Sequence, residues 1–247
     1  MKRVFASTGI VMLVLVLVLW LSAGAQATLT TIGTATYNSS DYSLIYDDDL
    51  GVVWLDFTQS PNYWQNQFNW AAGLNSSGVL TYNLNPGITV SWTGDWRLHQ
   101  VIDIGNDGCN WSYSGTDCGY NVDTSTGEMA HLFYDELGNL ARYDASGNSQ
   151  PGWGLNNTGP FTNLQYGSYW SGTEFSGYEL TTAWLFGLGY GNQNGDNKNY
   201  ARYAIAVRPV DVSTGSGGPS PVPEPSTLLL LGSGLAGVAG LRRRFKN

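Results

Sequence analysis

Histidines and carboxylates are the residues of this 247-residue chain that could carry catalysis. The two histidines, His99 and His131, are not accompanied by the Gly-x-Ser-x-Gly turn that presents a nucleophilic serine. Glu128, Glu174 and Glu179 could supply a glycosidase pair, which needs two carboxyl groups about 5–10 Å apart. In so acidic a chain some pair meets that distance by chance, so we predict that the protein is not an enzyme. The alternative is a secreted hydrolase that acts on glycans through carboxylates.

Two cysteines and a run of aspartates are the other residues with distinctive chemistry. Cys109 and Cys118 stand in a loop rich in Gly, Asp and Ser, and such a pair in an exported chain favours a local disulfide. Asp47, Asp48 and Asp49 lack the spacing and the distal glutamate of an EF-hand calcium loop. They are therefore predicted to form a solvated turn, and we predict no metal site and no cofactor.

Aromatic and amide side chains in the predicted loops could bind a sugar, because rings stack on sugar faces and amides pair with hydroxyl groups. The same residue types are also ordinary core and turn residues, so each one alone is ambiguous. The candidate ligand surface consists of Trp111, Tyr113, Trp153, Asn192, Gln193, Asn194 and Asp196. A polysaccharide is the ligand that this surface would suit.

Short helices and strands must position these residues. Ser60-Pro61 predicts the start of a helix that ends near Gly73, and an apolar stripe predicts a second helix over 127–137. The predicted strands are 44–46 and 52–57 as a hairpin, 169–174, and 183–186 with 200–210 as hairpin partners around a polar loop at 191–199. Two helices and a β-rich second half predict an α+β fold.

The two ends of the chain carry targeting signals. Residues 1–27 combine Lys2 and Arg3, an apolar run and small residues at the end, which is the order of a cleaved signal peptide. Residues 213–221 form a Gly/Ser/Pro linker. An apolar run at 227–241 then predicts a transmembrane helix, and Arg242, Arg243 and Arg244 set its topology. That helix would be only ~22 Å long, which favours temporary rather than permanent anchoring.

Charge excludes one class of partner. Between the two ends the chain keeps 5 of its 11 Lys and Arg residues and 18 of its 19 Asp and Glu residues. Phosphate backbones are bound through Lys and Arg, so a core this acidic predicts no nucleic-acid binding.

The tail resembles a known sorting signal. Pro223-Glu224-Pro225, a short Gly-rich apolar segment and an arginine cluster stand in that order at 222–247, as in the PEP-CTERM family. The resemblance implies that Pro223, Glu224 and Pro225 are recognised by an exosortase, a membrane protease or transpeptidase. It also implies transient anchoring in the inner membrane, then delivery to the cell surface or the extracellular space. The family is linked to bacteria that make exopolysaccharide.

Residues 28–212 resemble the DUF1566, or Lcl C-terminal, domain. Six short motifs occur in the family's order, at 51–56, 70–72, 96–98, 169–174, 183–184 and 206–210. The family's usual Pro after Trp-Arg-Leu is replaced by His99. The resemblance implies a C-type-lectin-like fold, but its relatives' reactive cysteines and calcium tripeptides have no counterparts in these motifs. We therefore expect an α+β, C-type-lectin-like domain with two helices and a mainly antiparallel sheet. Its expected role is binding or structural, in association with exopolysaccharide.

Overall fold

The structure is a computed structural model that describes residues 28–105, 109, 111 and 116–214. The predicted signal peptide at 1–27, the sorting tail at 222–247 and its transmembrane helix at 227–241 lie outside these residues, as does nearly all of the predicted linker. Within the described ranges no helix is both long enough and apolar enough to cross a membrane.

The described chain is built mainly of β-strands, with a ten-residue helix and a second, much shorter helical segment. The elements are β1 (Leu29–Tyr37), β2 (Ser40–Asp47), β3 (Val52–Leu55), β4 (Gln59–Asn62), α1 (Trp64–Gly73), β5 (Thr81–Leu84), β6 (Ile88–Trp92), β7 (Arg97–Leu98), β8 (Gly119–Tyr120), α2 (Glu128–His131), β9 (Ser168–Glu174), β10 (Thr182–Gly187), β11 (Asn192–Asn197), β12 (Arg202–Ala204) and β13 (Ala206–Thr214). A 3₁₀ turn, Thr124–Thr126, precedes α2, and a π-helical turn, Leu132–Glu136, continues it.

Two sheets organise these strands. The first has the order β5-β1-β2-β3-β13-β6, with β7 also paired to β13, and the second has the order β4-β12-β9-β10-β11-β8. Antiparallel pairing dominates, as in β1–β2 and β10–β11. The pair β12–β9 is parallel and consists of Tyr203 opposite Tyr169.

The predicted α+β, C-type-lectin-like fold is wrong, because the described residues form a mainly antiparallel β structure with little helix. Ser60 and Pro61 do not start a helix. They lie in β4 at the edge of the second sheet, where the missing N–H of proline costs least, and α1 begins only at Trp64. The predicted polar loop at 191–199 contains β11, which pairs with β10 and β8 rather than linking a hairpin of 183–186 with 200–210.

Other local predictions are confirmed. The hairpin at 44–57 is the antiparallel pair β2–β3, and the predicted strand at 169–174 is β9. The predicted second helix is present as α2, but it widens after His131, where the backbone N–H of Leu137 donates to the Leu132 carbonyl at 3.0 Å. This is the i to i+5 pattern of a π-turn, a feature frequent at functional sites.

The core of the described residues has two large hydrophobic clusters and a small third one around Trp184. One large cluster contains Trp64 of α1 together with Trp96 and Trp170. The other large cluster contains Trp54 of β3 and Phe133 of the π-turn. Burying each such side chain stabilises the fold by about 1.5–3 kcal/mol, so the aromatic residues account for much of its apolar driving force.

Close packing of β1 on β5 depends on Gly33. A Cβ atom at this position would lie 2.7 Å from the Leu84 Cα atom and would also overlap the Asn83 carbonyl oxygen, both in the backbone of β5. We expect Gly33→Ala to lower the free energy of unfolding by about 1–3 kcal/mol, because backbone atoms must shift to relieve the overlap. Chemical denaturation measures this. The matched control is Gly73→Ala, where no atom lies within 4 Å of the new Cβ; equal losses in the two variants would contradict the prediction.

Candidate functional site

Stacked aromatic rings surround Arg142 at the turn that joins β10 to β11. The rings of Trp153 and Tyr190 are nearly parallel, with centroids 5.5 Å apart and an interplanar angle of 9°. The Arg142 guanidinium carbon lies 5.4 Å and 5.5 Å from these two centroids and 5.3 Å from that of Tyr143. No carboxylate among the described residues forms a salt bridge with Arg142. Its charge is therefore held by ring faces.

Further rings extend this group. Tyr143 contacts Tyr120 edge-on at 5.2 Å, and Tyr120 contacts Trp111 edge-on at 5.6 Å. Trp111 is 44% exposed and Tyr190 45% exposed, so the two ends of the series reach solvent. We define the aromatic surface as Trp111, Tyr120, Arg142, Tyr143, Trp153 and Tyr190.

The aromatic surface contains only part of the predicted ligand surface. Trp111 and Trp153 belong to it, whereas Tyr113 lies outside the described residues. Arg142 and Tyr190 were missed because nothing local marks them. Arg142 reaches Tyr190 through a backbone hydrogen bond, Arg142 N to Tyr190 O at 2.8 Å, between residues far apart in sequence.

The remaining predicted ligand residues lie on β11, and two of them have side-chain partners within the chain. Gln193 is fully buried, and its side-chain amide donates to the Asp117 carbonyl at 2.8 Å. Asp196 accepts two hydrogen bonds from Arg202, at 3.0 Å and 2.6 Å. Asn192 and Asn194 are half-buried on the same strand. The polar residues of this segment therefore serve a strand rather than a ligand loop.

Each glutamate considered for hydrolysis has a partner of its own. Glu128 forms a bidentate ion pair with Arg97, with both N···O distances at 2.7 Å. Glu174 pairs with Lys198 at 2.5 Å. The Gly177 N–H donates to Glu179 at 2.9 Å, and this hydrogen bond holds the pKa of Glu179 below its usual range. Each of the three carboxylates therefore has an ion-pair or hydrogen-bond partner within the described chain.

Cys109 and Cys118 are joined by a disulfide, with Cα atoms 4.3 Å apart. Cys118 is buried against Trp184 and Val101. The bridge therefore ties this loop to the second sheet, since Trp184 is part of β10.

His131 faces carboxylates from two elements. Its Nε2 atom lies 3.4 Å from Glu136 Oε1, 3.9 Å from Asp47 Oδ1 and 4.0 Å from Asp49 Oδ2, and its Nδ1 atom lies 3.1 Å from Asp135 Oδ2. One ligand atom each from Asp47, His131 and Glu136 fit within 4.8 Å of one another. These three residues could hold a metal ion. We call the five residues the His131 cluster.

The prediction that Asp47 belongs to a solvated turn is wrong, because its side chain is fully buried. It accepts hydrogen bonds from the Leu50 N–H at 3.1 Å and from Trp54 Nε1 at 3.3 Å. Burial raises the pKa of Asp47. Burial, and next the charge of Asp47, raise the pKa of Glu136 to about 7. Both shifts report the cost of placing negative charge here.

Comparison with known proteins identifies the tail. Residues 221–244 match the PEP-CTERM protein-sorting motif, which indicates an exported protein processed by an exosortase. The matched segment includes Pro223, Glu224 and Pro225. No curated protein and no solved structure shows significant similarity to the chain. The resemblance of residues 28–212 to the DUF1566 domain stays a prediction.

His99 is fully buried beside the Arg97–Glu128 pair, and burial lowers its pKa to about 4. The unfolded chain takes up a proton near pH 6.5, whereas the folded chain does so only near pH 4, so the unfolded state binds more protons between these values. The contribution of neutral His99 to the free energy of unfolding is therefore fully present above pH 6.5 and is lost as the pH is lowered towards 4.

We expect the loss of unfolding free energy between pH 7 and pH 4 to be about 3 kcal/mol smaller in His99→Leu than in the wild type. Denaturant titrations at several pH values measure it. The carboxylates common to both proteins act as an internal control, since their contribution cancels in the difference. Identical pH profiles would show that His99 does not titrate this way.

Proposed function

We propose that this protein is a non-enzymatic binding protein of the cell surface or extracellular matrix, and that it binds polysaccharide through the aromatic surface. The observation that carries the proposal is the partly exposed stack of Trp153 and Tyr190 beside Arg142. Ring faces of this kind suit the apolar faces of sugars, and a guanidinium group donates hydrogen bonds to hydroxyl oxygens.

Charge favours an uncharged polysaccharide as the ligand. The region between the two ends has 18 acidic and 5 basic residues, so it repels polyanions at long range. Arg142 is the cation of the aromatic surface. One guanidinium can orient a neutral sugar without attracting a highly charged chain.

The proposal of a binding role is supported by the partners of the acidic residues. Glu128 and Glu174, the carboxylates on which a hydrolase would depend, are paired with Arg97 and Lys198. Turnover of a glycan by the purified protein would contradict this part of the proposal.

The sorting motif supports delivery to the outside of the cell. An exported chain whose tail holds it in the inner membrane until an exosortase acts would be released outside that membrane, where it can meet polysaccharide. Surface or matrix location and polysaccharide binding thus belong to one proposal.

Trp153→Ala tests the aromatic surface. We expect saturable binding of the purified full-length protein to an uncharged polysaccharide, and a loss of affinity of about tenfold or more in the variant, because a stacked indole face is removed. Affinity electrophoresis, checked by calorimetry, measures both. Tyr178→Ala is the matched control, since Tyr178 is 65% exposed and lies beyond the opposite end of β10 from Tyr190. Equal losses in both variants, or no binding by the wild type, would refute the proposal.

Alanine substitution of Pro223, Glu224 and Pro225 tests the sorting motif in the native host. We expect the variant to accumulate uncleaved in the inner membrane, because the exosortase recognition residues are gone. Cell fractionation and immunoblotting measure this. Pro219→Ala, just outside the matched residues, is the control and should mature like the wild type. Normal maturation of the triple variant would show that recognition lies elsewhere.

A further inference from the structure

The His131 imidazole faces more carboxylates than it can satisfy by hydrogen bonding. Nδ1 lies 3.1 Å from Asp135 Oδ2, so a proton on this nitrogen would pair with that carboxylate. In the neutral ring Nε2 then presents a lone pair, and it presents it towards the oxygens of Glu136 and Asp47. Lone pair and carboxylates repel each other unless a cation lies between them.

Burial makes this repulsion costly. The side chain of Glu136 is 1% exposed, and neither of its oxygens has a hydrogen-bond partner among the described residues. The Nε2 atom of His131 also lacks a hydrogen-bond partner there. A buried carboxylate without compensation is strongly disfavoured. A proton on Nε2 or on the Glu136 carboxyl group itself, or a bound metal ion, would relieve it.

The arrangement has the dimensions of a metal site. We propose that Asp47, His131 and Glu136 bind one divalent transition-metal ion of the Zn²⁺ or Mn²⁺ type. The three ligand atoms lie within 4.8 Å of one another. Donors that bind a common ion at about 2.0–2.2 Å are separated by at most about 4.4 Å. His131 Nε2 meets this limit, at 3.4 Å from Glu136 Oε1 and 3.9 Å from Asp47 Oδ1, so binding needs at most a small approach of the two carboxylates to each other. Asp49, 54% exposed and 4.0 Å from Nε2, is the candidate fourth ligand on the solvent side.

The donor set selects the class of metal. An imidazole nitrogen combined with carboxylate oxygens suits Zn²⁺ and Mn²⁺, whereas Ca²⁺ and Mg²⁺ prefer oxygen donors alone. Asp135 supplies the outer contact that metal-binding histidines commonly have, a carboxylate on the other ring nitrogen. The pairing orients the ring with Nε2 towards the ion.

The fold holds the ligands on two separate elements. Asp47 ends β2 and is fixed by the Leu50 N–H and by Trp54. The π-turn after His131 brings both the fourth and the fifth following residues, Asp135 and Glu136, beside the ring. A regular helix aligns residues three and four apart instead. A metal ion here would join the β2–β3 turn to α2 and stabilise the folded state.

Metal binding is tested on the untagged full-length protein, purified in detergent without chelator and then stripped with EDTA. We expect one Zn²⁺ or Mn²⁺ per chain by elemental analysis and calorimetry. We also expect Tm to rise by about 5–10 °C at a metal concentration near 100 times the Kd, because the ion binds only the folded state. Ca²⁺ and Mg²⁺ at the same concentration should shift Tm much less.

Glu136→Gln is the decisive variant. It should weaken metal binding at least about 100-fold and abolish the metal-dependent rise in Tm. Its metal-free Tm should equal or exceed that of the stripped wild type, because the uncompensated buried charge is gone. That second result separates loss of the site from loss of folding. Glu179→Gln, an exposed carboxylate outside the cluster, is the matched control and should bind metal like the wild type.

Three results would overturn the proposal. The first is a wild type that neither binds Zn²⁺ or Mn²⁺ nor gains thermal stability from them. The second is a Glu136→Gln variant with unchanged metal affinity. The third is a nitrogen NMR spectrum of the metal-treated protein at neutral pH in which both His131 nitrogens are protonated, since the cluster would then be an imidazolium ion pair. Trp153→Ala should leave metal binding intact, so the metal site and the polysaccharide proposal stand or fall separately.

Discussion

One buried segment, Ala204–Val207, holds the two sheets in a fixed relation because it belongs to both. Ala204 ends β12 in the second sheet, Ala206 begins β13 in the first, and all four residues of the segment are fully buried. Its side chains are small or β-branched and carry no polar group, so the chain can change sheets inside the core without stranding a polar side chain. Val207 lies opposite Trp54 of β3, and the Trp54 indole donates to Asp47. The pairing of β13 with β3 thereby helps to position Trp54, which contacts Asp47 of the His131 cluster.

Local sequence patterns predicted the parts of the fold that local forces decide. The β2–β3 hairpin follows from two β-prone apolar runs separated by Asp and Gly, and β9 from a short run rich in aromatic residues. The strand β11 has no apolar side chain and forms through backbone pairing with β10 and β8, which its own sequence does not reveal. At Pro61 the sequence predicts the start of a helix, but the segment instead pairs with β12 at the edge of the sheet. Because of these differences the domain is mainly β, whereas the sequence patterns predicted an α+β domain.

The candidate sites show the same division. Trp111 and Trp153 of the aromatic surface could be singled out from the sequence because these aromatic side chains stand among turn formers. Arg142 and Tyr190 could not, since their contact depends on how two distant loops meet. Asp47 illustrates the opposite error. Its residue type and neighbours indicate a solvated turn, but α2, more than 80 residues later in the chain, packs across that turn and buries the carboxylate.

The positions of the described Lys and Arg side chains support the proposal that the His131 cluster binds a metal ion, because none of them lies at the cluster. Residues 28–212 contain five Lys and Arg residues, and each has a place of its own. Arg97, Lys198 and Arg202 pair with Glu128, Glu174 and Asp196. Arg142 lies over aromatic rings, and Arg208 lies over Trp92 and donates to the Gly94 carbonyl.

None of these five side chains forms a salt bridge with the His131 cluster. Buried Asp56 accepts hydrogen bonds from Thr162 and Asn163, whereas the His131 cluster buries Asp47 and Glu136 side by side, and neither Glu136 oxygen has a hydrogen-bond partner among the described residues. Burying Asp47 and Glu136 side by side without a neighbouring Lys or Arg costs electrostatic free energy. A bound metal ion would remove this cost. The engagement of all five Lys and Arg residues of 28–212 at other positions, more than the number of acidic residues, favours a metal ion at this position over a chance meeting of carboxylates.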